Sequence, residues 1–217
     1  MDAVIFDWDG TLVDTLPAIT QANAEVLGSY GVHYDDAAYR AAYSPDWRGM
    51  YRRLGVPDSR IDEAGGRWLT AYRALMSEAR AFPGVSRALA RLREGGFTMG
   101  LVTAGDRAVV EHQLEATGLG VHLPVRVCGD DMPFAKPHPA PLLQALEELG
   151  LRDRPERVIY VGDAPDDMRM ARTVGARGIG IESILGERGD LEAAGASVVA
   201  ASVVEWVGAF LQAPSLR

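Results

Sequence analysis

Residues 3–14 read Ala3-Val4-Ile5-Phe6-Asp7-Trp8-Asp9-Gly10-Thr11-Leu12-Val13-Asp14: four apolar residues, two aspartates separated by a tryptophan, then a glycine. A short apolar, β-leaning run of this kind reads as a buried strand, and the change of character at Asp7 marks its C-terminal end. On a chain just leaving extended geometry, Asp7 and Asp9 can face one pocket, and Gly10 lets the backbone turn tightly. A bare Asp-x-Asp after a strand would serve equally well as a solvated loop capping the next helix. Its place at the end of a strand, within a longer string, favours chemistry over capping.

Three further apolar runs end in the same way. Residues 97–103 lead into Ala104-Gly105-Asp106, residues 125–128 into Gly129-Asp130-Asp131, and residues 157–161 into Gly162-Asp163, while 176–181 and 196–199 read as two more strands. Helical periods occupy 108–117, 140–149, 167–174, 190–194 and 203–211. Strand alternating with helix predicts an α/β fold, a Rossmann-like doubly wound parallel sheet covered on both faces. Ligands of such sheets sit beyond the carboxyl ends of the strands, so the polar positions near Asp7, Thr103, Lys136 and Asp163 are expected to meet at one edge.

Residues 16–81 differ. They carry helical periods, Trp47 and Trp68, punctuation at Gly31, Pro45, Gly55-Val56-Pro57 and Gly65-Gly66, and no discernible strand. They are expected to form a helical cap inserted into a core of residues 1–15 and 82–217, entered after Thr15, left near Phe82-Pro83-Gly84, and standing over the strand ends as a lid.

The 217 residues suit one domain with a sizeable insertion. A net charge of -8 argues against the phosphate-neutralising surface of a nucleic-acid binder and against docking on anionic membranes, so an anionic substrate must be met by a local positive site. Among 22 Lys+Arg residues the sole lysine is Lys136, a compact point charge where every other cation is a planar fork. The single cysteine, Cys128, rules out an internal disulfide and reads as a small buried residue. With acidic Asp2 following Met1 and no apolar run of membrane-spanning length, the expected location is the cytoplasm. His33, His112, His122 and His138 lack zinc spacing.

A second acidic pair, Asp163 and Asp167, lies in Val161-Gly162-Asp163-Ala164-Pro165-Asp166-Asp167. Hard oxygen ligands of this type suit magnesium, although Asp166 and Asp167 also fit the acid-rich start of a helix.

These segments together resemble the haloacid dehalogenase (HAD) superfamily, in the phosphoglycolate-phosphatase-like branch with a helical, C1-type cap. VIFDWDGTLVDT (4–15) is similar to the family's first motif, GLVTAG (100–105) to its second, AKPHP (135–139) to its third and IYVGDAPDD (159–167) to its fourth, in the family's order. The resemblance implies a phosphatase in which Asp7 is the nucleophile and becomes an aspartyl-phosphate, and Asp9 is the general acid and base. It implies that Thr103 and Lys136 hold the phosphoryl oxygens. Magnesium is expected on Asp7, the backbone carbonyl of Asp9, and Asp163, with Asp167 standing closer to a supporting role. Substrate contacts are expected from Trp8, Gly10, Thr103, Ala104, Gly105 and Lys136, and from Arg48 in the cap segment Tyr43-Ser44-Pro45-Asp46-Trp47-Arg48, where a guanidinium could meet a second anionic group.

Asp9 disfavours a dehalogenase, whose leaving group needs no proton, and a cap without lysine disfavours a Schiff-base phosphonate hydrolase. A phosphomutase of the β-phosphoglucomutase type stays open. A non-catalytic phospho-acceptor resembling a receiver domain would be smaller and uncapped, and a catalytically silent interaction protein would be expected to have lost one of Asp7, Asp9, Lys136 or Asp163. The partner implied is a small phosphorylated metabolite, with no nucleic acid and no membrane, for a monomer or homodimer.

Overall fold

The computed structural model describes residues 1–44, 46–75 and 79–212. Pro45 of the expected cap contacts and residues 76–78 of the insertion therefore lie outside the described residues. The chain divides into two compact units, Met1–Asp14 with Arg80–Arg217, and Thr15–Ala79.

The first unit opens with β1 (Ala3–Phe6) and the short β2 (Val13–Asp14). The second consists of α1 (Leu16–Gly28), α2 (Asp36–Ala42), α3 (Trp47–Arg53) and α4 (Ile61–Leu75). The first unit resumes with β3 (Arg80–Ala81), α5 (Val85–Glu94), β4 (Thr98–Val102), α6 (Arg107–Thr117) and β5 (Val125–Val127). It continues through α7 (Ala140–Glu148), β6 (Val158–Gly162), α8 (Pro165–Val174), β7 (Arg177–Ile181), α9 (Arg188–Ala194), β8 (Val198–Ala200) and α10 (Val203–Gln212).

Six strands form one sheet in the order β5-β4-β1-β6-β7-β8, every neighbour parallel. All four residues of β1 and all five of β6 are buried, which is the reason those strands are apolar on both faces instead of alternating. One face packs Ile5, Val102 and Tyr160 against Leu142, Leu146, Met168 and Leu191. On another side, Phe6 meets Trp206 edge-on and Phe97 meets Phe210 beneath the α5–α10 pair. Each such fully buried aliphatic or aromatic side chain contributes roughly 1.5–3 kcal/mol to folding.

Two elements go beyond the sequence reading. Helix α5 buries Val85, Ala88, Leu89 and Leu92, an i, i+3, i+4, i+7 stripe, yet it was not among the expected helices. Arg80–Ala81, inside the segment read as strandless, pairs antiparallel with Val13–Asp14. Two residues are too few for any periodicity to register.

In the second unit, α1 packs on α4, and Asn23 is buried between two phenols: it donates to the Tyr34 hydroxyl at 3.1 Å and accepts from Tyr51 at 2.9 Å. No helix among the described residues is long and apolar enough to cross a membrane.

Candidate active site at the carboxyl edge of the sheet

The strand order reverses at β1, which is flanked by β4 on one side and β6 on the other. Such a switch point opens a crevice at the carboxyl ends of the strands, and Asp7 and Asp163 are the residues that follow β1 and β6 directly. The Asp7 N–H donates to Val161 O at 2.8 Å, extending the ladder one residue past the strand and fixing where the carboxylate emerges. Thr103 follows β4 and is held likewise by its N–H to Val127 O at 3.0 Å.

Lys136 reaches this edge from the loop after β5, through a cis peptide to Pro137. Its ammonium lies 2.6 Å from Asp7 Oδ1 and 2.8 Å from Asp167 Oδ1. Carboxylate oxygens of Asp7, Asp163 and Asp167 all fall within 4.8 Å of one another, and all three residues are buried. Asp167 is the most constrained: Oδ2 accepts from Ala164 N–H at 3.1 Å at the start of α8, while Oδ1 meets Lys136 and lies 3.2 Å from the Tyr160 hydroxyl. Helix start and site are thus served by one side chain. Asp163 is only 1% exposed, and its Oδ2 has no hydrogen-bond partner among the described residues.

Three carboxylates and one ammonium leave an excess of negative charge in a dry place. Burial pushes Asp7 up to about 7, with Lys136 opposing and Asp167 adding to the rise. Burial, then the Asp7 and Asp167 charges, hold Asp163 well above the usual carboxylate range. Burial works against the charge on Lys136, but Asp167 and Asp7 outweigh it and hold the ammonium well above the ordinary lysine value. A divalent cation fits this donor set: hard oxygens, surplus negative charge, and a buried carboxylate oxygen lacking a donor.

Around this centre, Gly10 has φ 75° and donates to Val13 O at 3.0 Å, a left-handed turn that a side chain would strain. Asp9 is half-buried, and a Cβ placed on Gly105 would stand 3.7 Å from its Oδ2, so Asp9 reaches toward the loop after β4. In that loop Ala104 is exposed, and the Gly105 N–H donates to Thr103 Oγ1 at 3.0 Å. Trp8, expected as a substrate contact, has its ring fully buried, with Nε1 donating to Gln113 Oε1 at 2.6 Å. Packing has turned the indole into the core, and only the Trp8 backbone faces the turn. Arg48 lies in the other unit, exposed, paired with Asp62 at 2.9 Å and stacked 4.4 Å over the Trp47 ring.

Sequence reading missed two features here. Tyr160 registers only as part of an apolar strand, and its hydroxyl is the one hint that something polar waits inside. Arg107 clamps Asp131 through Nε at 2.8 Å and NH2 at 2.5 Å and takes Asp130 Oδ1 on its backbone N–H, tying the loop after β4 to the loop that carries Lys136.

Comparison with known proteins places these features among described relatives. The profile of the haloacid dehalogenase-like hydrolases matches residues 4–181. A phosphoglycolate phosphatase of Agrobacterium fabrum is 32% identical over 187 residues, covering 82% of this chain and 78% of that protein. An N-acetylmuramic acid 6-phosphate phosphatase of Pseudomonas aeruginosa is 32% identical over 186 residues, covering 82% and 80%. Among solved structures, a haloacid dehalogenase-like hydrolase from Streptococcus pneumoniae superposes with a TM-score of 0.83 at 27% identity, covering 97% of this chain and 98% of that one.

Proposed function

Because the chain belongs to the haloacid dehalogenase-like hydrolase family and is one of its phosphatases, we propose that it hydrolyses a small phosphomonoester, phosphoglycolate foremost, through an aspartyl-phosphate on Asp7 with Mg2+ as cofactor. The observation that carries this reading is the meeting of Asp7 Oδ1 with Lys136 Nζ at 2.6 Å, beside the buried, unpartnered Oδ2 of Asp163.

Attack by a carboxylate on a phosphate dianion is repulsive unless charge is neutralised along the path. Asp7 would supply the attacking oxygen, forming a new P–O bond as the bond to the leaving alkoxide breaks. Asp9 would give that alkoxide its proton, then take one from water as the water attacks phosphorus and displaces the Asp7 carboxylate. Lys136 Nζ, the Thr103 hydroxyl and the N–H groups around Ala104 and Gly105 would hold the equatorial oxygens. Asp7, Asp163 and the carbonyl of Asp9 would hold Mg2+, whose contribution when bound is to neutralise charge as a Lewis acid. Asp167, with both oxygens already engaged, would hold Lys136 beside Asp7 before the phosphoryl group arrives. The carboxylate of phosphoglycolate calls for a second cation.

The test is release of inorganic phosphate from p-nitrophenyl phosphate and from phosphoglycolate, with MgCl2 and with EDTA. Turnover should need the metal and release free phosphate from both substrates. Asp7→Asn should abolish it while the melting temperature stays near wild type; substantial residual activity would remove Asp7 as nucleophile.

A further inference from the structure

Strand β6 is completely buried, and four of its five residues carry no polar side-chain atom. The exception, Tyr160, is 0% exposed. A phenylalanine would pack there without the cost of burying a hydroxyl, so the hydroxyl must be satisfied where it ends. It ends 3.0 Å from Val102 O on β4 and 3.2 Å from Asp167 Oδ1 on α8. Because β1 lies between β6 and β4, the phenol spans a strand to reach Val102 O. Val102 is the residue before Thr103, and Asp167 is the carboxylate that shares Lys136 with Asp7.

A phenol has one proton, and both atoms in reach are acceptors. It serves one of them at a time. Burial, and then the Asp167 charge, hold the phenol well above its ordinary value, with Lys136 opposing. Lys136, for its part, divides its N–H groups between Asp7 Oδ1 and Asp167 Oδ1. When Asp7 carries a phosphoryl group, the negative charge beside Lys136 moves from that carboxylate to the phosphoryl oxygens, and the ammonium is drawn after it. Asp167 is then left buried with the Ala164 N–H as its other donor. A buried carboxylate that loses a charged donor resists the loss.

We propose that Tyr160 is a positioning residue for this reaction: its hydroxyl swings from Val102 O to Asp167 Oδ1, replacing Lys136 there and releasing the ammonium to the phosphoryl group. The inference rests on the phosphatase reading of the site. The device also links the strand that delivers Thr103 to the pair that holds Lys136, through a single rotatable O–H.

Tyr160→Phe keeps the ring and removes only the hydroxyl. With p-nitrophenyl phosphate and MgCl2, kcat should fall roughly tenfold, equivalent to about 1.4 kcal/mol, with KM moving far less. Asp167→Asn should also slow turnover, and because both act on one oxygen, the double variant should be little worse than the poorer single one. Independent, multiplying effects would overturn the proposal, as would wild-type kcat in Tyr160→Phe. So would a collapse of its melting temperature, which would make the hydroxyl a folding requirement.

The chain offers a readout that needs no turnover. Lys136 is its sole lysine, so 15Nζ-lysine labelling gives one side-chain NMR signal. With beryllofluoride and MgCl2 added to mimic the phosphoryl group on Asp7, that signal should move in wild type and stay near its resting position in Tyr160→Phe, where Asp167 keeps its hold on Lys136. Failure of wild-type protein to hydrolyse any phosphomonoester would sink the phosphatase reading alone. The lysine signal then judges the Tyr160 contact: equal movement on adding beryllofluoride in wild type and Tyr160→Phe overturns it, and movement confined to wild type upholds it.

Discussion

Gly162, the last residue of β6, is the most exacting position in the site that carries no chemistry. A Cβ built there would stand 2.5 Å from Asp167 Cγ and 2.7 Å from Asp167 Cβ. Carbon–carbon contacts are optimal near 3.5–4.0 Å, so Gly162→Ala must drive Asp167 back by roughly 1 Å. Asp167 has nowhere to go without surrendering Ala164 N–H, Lys136 Nζ or the Tyr160 hydroxyl. Overpacking of this sort costs about 1–3 kcal/mol, and one lost hydrogen bond to a charged group about 1.5–3. Against this stands about 0.4–1 kcal/mol gained by restricting the unfolded chain. The net of roughly 2–5 kcal/mol corresponds to a fall of about 4–20 °C in melting temperature for a chain of this size. Displacing Lys136 by a similar distance should lower kcat by about 10²-fold. Gly100→Ala in β4 is the control, since its added Cβ would meet Val125 first, at 3.4 Å and beyond, ordinary packing. Thermal melts and phosphate release from p-nitrophenyl phosphate read both quantities. A Gly162→Ala protein that melts and turns over like wild type would refute the account of Asp167 as a tightly seated partner of Lys136.

Two further expectations concern charge. Because burial raises Asp163 in the folded state, the carboxyl favours folding when protonated and that advantage is lost as pH rises through its raised value. Metal-free Asp163→Asn should therefore melt above wild type at pH 8 and gain nothing from MgCl2, whereas wild type should be stabilised by it; equal MgCl2 shifts in both would contradict the metal assignment. The hydrogen bonds from Arg107 hold Asp131 below the usual carboxylate range, so its stabilisation is complete above the unfolded value near 3.8 and disappears as pH falls through the lower folded value. Urea unfolding should accordingly show Asp131→Asn less stable than wild type at pH 7 and the difference narrowing at pH 3; a gap independent of pH would show that the clamp does not act through charge.

How much of this was legible beforehand follows from the range of each interaction. The alternation of strand and helix, the polar residue after each central strand, and the isolation of Lys136 among arginines are local features, carried by spacings of two to four residues and by composition. They suffice for a doubly wound sheet and for the four segments at its edge, because a parallel sheet with short crossovers admits few topologies. Helix α5 carries the same local signal, its apolar stripe at 85, 88, 89 and 92, whereas the two residues of β3 are too few to show any.

What only the tertiary structure decided are contacts between residues far apart in the chain. Trp8 turns into the core because Gln113, 105 residues later, accepts its N–H. Lys136 stands between two carboxylates that lie 129 and 31 residues away, and Tyr160 reaches across β1 to Val102, 58 residues back. Residue type states what a side chain can donate or accept. Which partner it finds depends on strand order, register and the burial that packing imposes, and these are properties of the assembled sheet.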